Sequence, residues 1–401
     1  MNLDIGTQIL SIAFALALVM GALTKRTSFC TMGAVSDWVN MGDTARFRSW
    51  MLAIAVTLIG TLGLEYAQLL SFDNSRIPYR HPSFAWPRYI LGGLMFGIGM
   101  TIAGGCGSKN LVRLGAGNMK SLVVVLIMGA CAYAMTRTDF YGLVFASWIT
   151  PLAIDMDALG VGSQDLARIV ASAIGSDSIS SVRLVVGGLI VAALAYVSIG
   201  SRVLRARGEH LFAGFAIGLL VLAAWYLTGG PMGVAWIEAA EFSDEPPAFY
   251  GMQSFTFVNP AGDFWAFVGQ GGKPLAITFG LAALAGMITG SFTYALLAGG
   301  LRWEWFTSIA DFVRHIVGAV LMGIGGILGL GCTVGQGISG VSTLAAGSFL
   351  TLISIVIGSA MTMKVQYYKM LYEDASMLDI ILTSLTDLRL LPRQCRRLEA
   401  L

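Results

Sequence analysis

RYILGGLMFGIGMTIAGGC, residues 88–106, and RHIVGAVLMGIGGILGLGC, residues 314–332, can be written one above the other without a gap. They agree at 8 of 19 positions at a constant offset of 226, which pairs Arg88 with Arg314, Gly97 with Gly323, Gly99 with Gly325 and Cys106 with Cys332. Glycine richness inflates single matches, but an unbroken register that ends both times on Gly-Cys does not follow from composition. The chain reads as two related halves. Each copy is too apolar to face water, and each stops at small residues instead of a charged surface.

The rest of the chain fits a membrane protein. Of its 401 residues 56% are hydrophobic and 12% charged, about half the charged share of an ordinary soluble domain. The 50 glycines and 19 methionines agree with helices that approach closely in lipid. Apolar runs long enough for a hydrocarbon core, which takes about 20 residues, occur near 5–24, 49–70, 88–104, 119–136, 183–201, 210–228, 273–299, 314–330 and 345–363. The first of them, around Leu10 to Leu23, imitates a signal peptide, but Asp4 replaces a basic cluster and no A-x-A site follows, so it reads as a retained membrane helix. Stretches too short or too polar to span, 29–40, 107–115, 303–311 and 333–341, read as re-entrant half-helices.

The expected architecture is all-α: a polytopic membrane helical bundle of about nine spanning helices plus short half-helices. One transmembrane domain covers 1–365, its halves about 1–201 and 210–365, and a C-terminal tail covers 366–401 with helical apolar spacing. The stretches 138–182 and 229–272 read as long extramembrane loops. Arg202, Arg205, Arg207 and His210 form a basic hairpin, and Arg389, Arg393, Arg396 and Arg397 lie in the tail, so both are placed in the cytoplasm. The net charge of +2 and the lack of a basic, aromatic-interleaved stripe give no support to a nucleic-acid partner.

Repeat-built transporters hold their substrate at the repeat interface, often at broken helices. Here each copy ends in Gly-Cys and runs into a small polar segment, GSKNLVRLGAG after Cys106 and TVGQGISGVSTLAAGS after Cys332. A helix starting there offers unpaired backbone N–H groups to an anion, and Gly105, Gly107 and Gly331 let a ligand approach the backbone. Cys30, in TKRTSFCTMGAVSDW, also follows a span and opens a short segment. Its second-half equivalent is not obvious; GMITGSFTYALLAGG, 286–300, keeps Gly-Ser-Phe but has Tyr in place of a thiol.

Three thiols suit a ligand that carries sulfur, because S–H···S contacts guide it without trapping it. Lys109 could attract a dianion at the mouth of the site, and the Gln336 amide could donate to a sulfonyl oxygen. Cys131 reads as a small buried hydrophobe, and Cys395 as a tail thiol. Asp37, Asp311 and Arg314 read as structural pairs within the bundle. The cysteines show no C-x-x-C spacing, and His81, His210 and His315 are scattered, so no metal site, cofactor or catalytic dyad is indicated.

RTSFC with its small-residue helix, GGC-GSKNLVRLGAGN and GLGC-TVGQGISGVSTLAAGS together resemble the YeeE/YedE family of sulfur-transport membrane proteins. The resemblance covers most of the membrane region. It implies thiosulfate uptake through an hourglass with a positively charged outer recess and three cysteines at its narrow centre. On this sequence those are Cys30, Cys106 and Cys332. The expected passage is Cys106, Cys332, Cys30 through transient S–H···S contacts, without a covalent step. It also implies a bacterial inner-membrane location and a small cytoplasmic sulfurtransferase of the TusA type as partner. Two rival readings are a membrane sulfurtransferase that forms a cysteine persulfide, and a carrier of a selenium or other sulfur compound. A scaffold subunit that docks a soluble partner through its basic tail is a further alternative.

Overall fold

The computed structural model describes residues 4–72, 75–243, 246–247 and 249–398. Its first half contains α1 (Ile5–Thr27), α2 (Thr31–Met41), α3 (Ala45–Tyr66), α4 (Trp86–Ile102), α5 (Gly107–Gly115) and α6 (Met119–Arg137). An insert follows with α7 (Leu166–Ile174) and α8 (Ile179–Ile199). The second half holds α9 (Gly208–Gly229), α10 (Pro231–Glu241), α11 (Asn259–Gly269), α12 (Phe279–Leu297), α13 (Ile309–Leu328), α14 (333–343, in π and 3-10 turns) and α15 (Ala346–Leu371). The tail carries α16 (Met377–Asp387). Among the described residues nine helices are long and apolar enough to cross a bilayer. The protein is a polytopic helical bundle.

Two expectations need correction. Residues 303–311 hold no half-helix: Ser308 accepts the Asp311 N–H as an N-cap, so Ile309–Asp311 is the first turn of α13. The stretch 229–272 is not only a loop, because it contains α10 and α11, and α11 packs against the middle of α6 where a Cβ on Gly129 would lie 2.4 Å from the Ala261 carbonyl oxygen. Pro260 in the first turn of α11 fits a helix start, where no N–H is needed. Residues 286–300 mostly continue the spanning helix α12, which crosses α1 through Gly286 and Gly290, and make no break.

The glycines of the repeat show how its two copies meet. A Cβ on Gly92 would lie 2.8 Å from the Gly325 carbonyl oxygen, and one on Gly99 would lie 2.7 Å from that of Gly318. In the 226 register Gly92 corresponds to Gly318 and Gly99 to Gly325, so each contact is the other turned by a two-fold axis. Gly97 meets Ile355 of α15, and its equivalent Gly323 meets Met128 of α6. α4 and α13 run antiparallel, because Arg88 at the start of α4 donates to the carbonyls of Leu328 and Ile327 at the end of α13. The helix stripes thus act as backbone contacts, which lipid-embedded helices need because lipid supplies no hydrophobic drive between them.

Two faces follow. One gathers the 202–207 hairpin, the α2–α3 turn and the α5–α6 turn. There Asp43 accepts the Ala45 N–H and pairs with Arg207 at 2.6 Å. The backbone bond first and the guanidinium second hold the Asp43 carboxyl below its usual range. Asp37 pairs with Arg46 and Asp311 with Lys120, while Arg314 is exposed.

The opposite face carries the insert. Glu65 at the end of α3 binds Arg80 at 2.5 Å and Arg183 at 2.8 Å, and Arg183 also binds Asp165 at 2.7 Å. The Arg80 side chain is 2% exposed and that of Asp165 fully buried. Removing one charge from such a network strands the others in a poorly hydrated place. Glu65→Gln is therefore expected to lower stability by about 3–5 kcal/mol, read as a lower unfolding midpoint of the purified protein in detergent. An unchanged midpoint would show that Asp165 alone holds both arginines.

Candidate functional site

Each of the three candidate cysteines stands immediately before a short helix. Cys30 has extended backbone at the N-cap of α2, and its sulfur accepts the Gly33 N–H at 3.5 Å. Cys106 has the same place before α5, with Ser108 Oγ at 3.2 Å from its sulfur. Cys332 opens α14, and its sulfur accepts the Gly335 N–H at 3.4 Å, with the N–H groups of Val334 and Phe257 also turned to it. Cys30 and Cys332 thus use their sulfur for the orphan donors that Ser or Asp would satisfy elsewhere, whereas the Cys106 sulfur makes no such cap bond.

The three breaks come together. The Cys30 and Cys106 side chains lie within hydrogen-bond reach of each other, and Thr333, the residue after Cys332, faces the Cys106 sulfur. Their exposures are 6%, 1% and 0%, so the arrangement is closed on the side of α14 and near-closed at Cys30. Tyr79 donates its hydroxyl to the Gly335 carbonyl at 2.8 Å and Trp225 its indole N–H to Ser342 at 3.2 Å, which covers α14 from the insert face. Burial holds the Tyr79 phenol well above its usual pKa. All five cysteines are free; Cys131 and Cys395 are half-buried elsewhere.

The other sequence candidates have distinct places. Gly331 has φ +158°, a conformation that side chains rarely adopt, and a Cβ there would lie a tight 3.3 Å from Gln336. Gly105 is tight against Lys109, whereas a Cβ on Gly107 would meet only ordinary contacts with Met128 and Phe257. Gln336 spends its Nε2 on the Gly329 carbonyl at 2.6 Å, which ties α14 back to the end of α13. Lys109 lies near Cys30 and Lys25, with Arg113 and Arg302 also around Lys25. Lys109 thus lies toward the basic-hairpin face, where α5 ends and the Arg302 N–H donates to the Ala116 carbonyl.

Two partners escaped the sequence reading. Asn110 donates to the carbonyls of Gly105 at 2.8 Å and Cys106 at 3.1 Å, and it stands 226 residues before Gln336, so both copies close their break with a carboxamide. The repeat register carried that signal. The counterpart of Cys30 is Val258: Ser28-Phe29-Cys30 precedes α2 as Thr256-Phe257-Val258 precedes α11. The second half therefore has no fourth thiol at its matching break.

Residues 26–361 match a family model described as "Sulphur transport". The chain is similar to the thiosulfate transporter TsuA of Escherichia coli strain K12, 23% identical over 347 residues that cover 85% of this chain and 90% of that protein. It is likewise similar to the thiosulfate transporter TsuA of Spirochaeta thermophila, 22% identical over 85% of this chain and 94% of that one. A probable transporter, YedE of Escherichia coli K12, is 27% identical over 35% of this chain and 33% of its own length.

Proposed function

Because the chain belongs to the sulphur transport family, we propose that it imports thiosulfate, or a small sulfur-containing anion close to it, across a bacterial inner membrane. The observation that carries this reading is the meeting of three separate helix breaks at one buried point, each with a thiol, beside a backbone N–H at Cys30 and Cys332 and the Ser108 hydroxyl at Cys106. Such a point favours a ligand with negative charge and a polarisable sulfur end. The positive-inside rule places the 202–207 hairpin and the tail in the cytoplasm, so the insert face is outside.

The contacts support an order of passage Cys332, Cys106, Cys30, in place of Cys106, Cys332, Cys30. Thr333 links the first pair and direct side-chain contact the second. Residues 1–365 act as one transport unit, and the basic residues near Lys109 receive the anion on the cytoplasmic side. A TusA-like sulfurtransferase would take the delivered sulfur there. The transfer is non-covalent, and the relatives that match are named as transporters.

The test is growth. A bacterium deprived of its own thiosulfate uptake and supplied with this chain should grow on thiosulfate as sole sulfur source, and failure despite membrane expression would count against the reading. Intact mass of the protein after exposure to thiosulfate should be unchanged. A gain of one sulfur atom on a cysteine would favour the sulfurtransferase alternative.

A further inference from the structure

Two buried hydroxyls near Cys332 have no hydrogen-bond partner. Thr333 is 0% exposed and Thr256 is 8% exposed, and the Oγ1 of each is unpaired. Thr333 follows Cys332 directly and faces the Cys106 sulfur without a well-directed bond. Thr256 lies against Gly335, whose missing side chain leaves it room: a Cβ there would be 2.6 Å from Thr256 Oγ1. Gly335 is the residue whose N–H points at the Cys332 sulfur. The Thr333 hydroxyl thus faces the Cys106 sulfur, and the Thr256 hydroxyl lies against Gly335 on the Cys332 side, so two different segments bring hydroxyls to this thiol pair.

An unpaired buried hydroxyl is costly and rare in a native structure. Most threonines in this bundle's helices satisfy theirs on a carbonyl one turn back, as Thr57, Thr101, Thr351 and Thr362 do. Thr333 and Thr256 stand at or just before the start of a helical segment, where no such carbonyl is in reach. The Oε1 of Gln336 is also unpaired, but it is an acceptor and lies toward Gly340, which makes it no donor to an anion.

We infer that the Thr333 and Thr256 hydroxyls form an oxygen-recognising subsite beside Cys106 and Cys332, which selects anions bearing both a sulfur terminus and sulfonyl-type oxygens. The inference rests on the transport reading and narrows it. Thiols alone would accept hydrosulfide or a polysulfide as readily as thiosulfate, because S–H···S contacts need only a polarisable sulfur. Hydroxyl donors reward oxygen acceptors with stronger, directed bonds. Sulfate offers the oxygens without the sulfur end, and hydrosulfide the sulfur end without the oxygens. Only an anion with both satisfies the thiols and the hydroxyls at once.

The experiment compares purified unaltered protein with Thr333→Val, Thr256→Val, the double variant and Thr333→Ser in liposomes, with labelled thiosulfate as probe and sulfate or hydrosulfide as competitor. Each valine should lower thiosulfate uptake about tenfold, the double variant more, and Thr333→Ser should restore it. Hydrosulfide should compete better in the valine variants than in the unaltered protein. Their unfolding midpoints in detergent should not fall, since valine keeps the shape of threonine and neither hydroxyl makes a directed hydrogen bond in the protein. Valine variants within twofold of unaltered uptake would overturn the subsite while leaving the transport reading intact, and so would a lowered midpoint with the serine variant equally impaired. No uptake by the unaltered protein would defeat the transport reading, and the subsite with it.

Discussion

Cys106→Ala and Cys332→Ala proteins are expected to take up thiosulfate at less than about a tenth of the unaltered rate while reaching the membrane in normal amounts. Each loses a sulfur contact at a buried point where no water substitutes for it, and a missing hydrogen-bond partner there is worth about a factor of ten or more. Alanine is smaller than cysteine and leaves the α4–α13 crossing untouched, so the fold should survive. Cys131→Ala, half-buried and away from the breaks, should retain full uptake. Equal activity in all three would remove the thiols from the mechanism.

A second large effect is expected from the crossing itself. Gly92→Leu should abolish recovery of monodisperse protein, because a Cβ at that position would lie 2.3 Å from the Gly329 backbone nitrogen and 2.8 Å from the Gly325 carbonyl oxygen. Backbone meets backbone there, and no flexible side chain can give way. The cost should be at least about 3 kcal/mol, at the upper end for overpacking. Gly188→Ala in α8, whose Cβ would meet nothing within 4 Å, is the control and should behave as the unaltered protein. Normal recovery of Gly92→Leu would mean that α4 and α13 are not held in this register, and the placement of Cys106 and Cys332 would fall with it.

The sequence showed the part of the fold that glycine and cysteine write twice. The 226 register predicted that Cys106 and Cys332 stand at matched breaks, and it also held the Asn110 and Gln336 pair, which a reading focused on thiols passed over. Val258 could not be recognised as the counterpart of Cys30, because the chemistry is not repeated and the separation there is 228 instead of 226. The helix α11 was hidden by Pro246, Pro247 and the acids around it, although Asn259-Pro260 is a fair helix start. Gln336 was expected to donate to a ligand, yet its Nε2 closes the break on Gly329, since the end of α13 has carbonyls that need a donor. Lys109 was read as attracting ligand at a mouth, and only three-dimensional contacts could say that it lies toward the basic-hairpin face.

The buried thiol cluster as the route of a sulfur anion is the claim on which the account stands. Its most direct test is uptake of radiolabelled thiosulfate into sealed liposomes that contain this purified chain and no other protein. The account predicts saturable accumulation, suppressed by unlabelled thiosulfate and by thiol-blocking reagent, and little affected by sulfate. Uptake no greater than in protein-free liposomes, or uptake indifferent to replacement of Cys106 and Cys332 together, would contradict it.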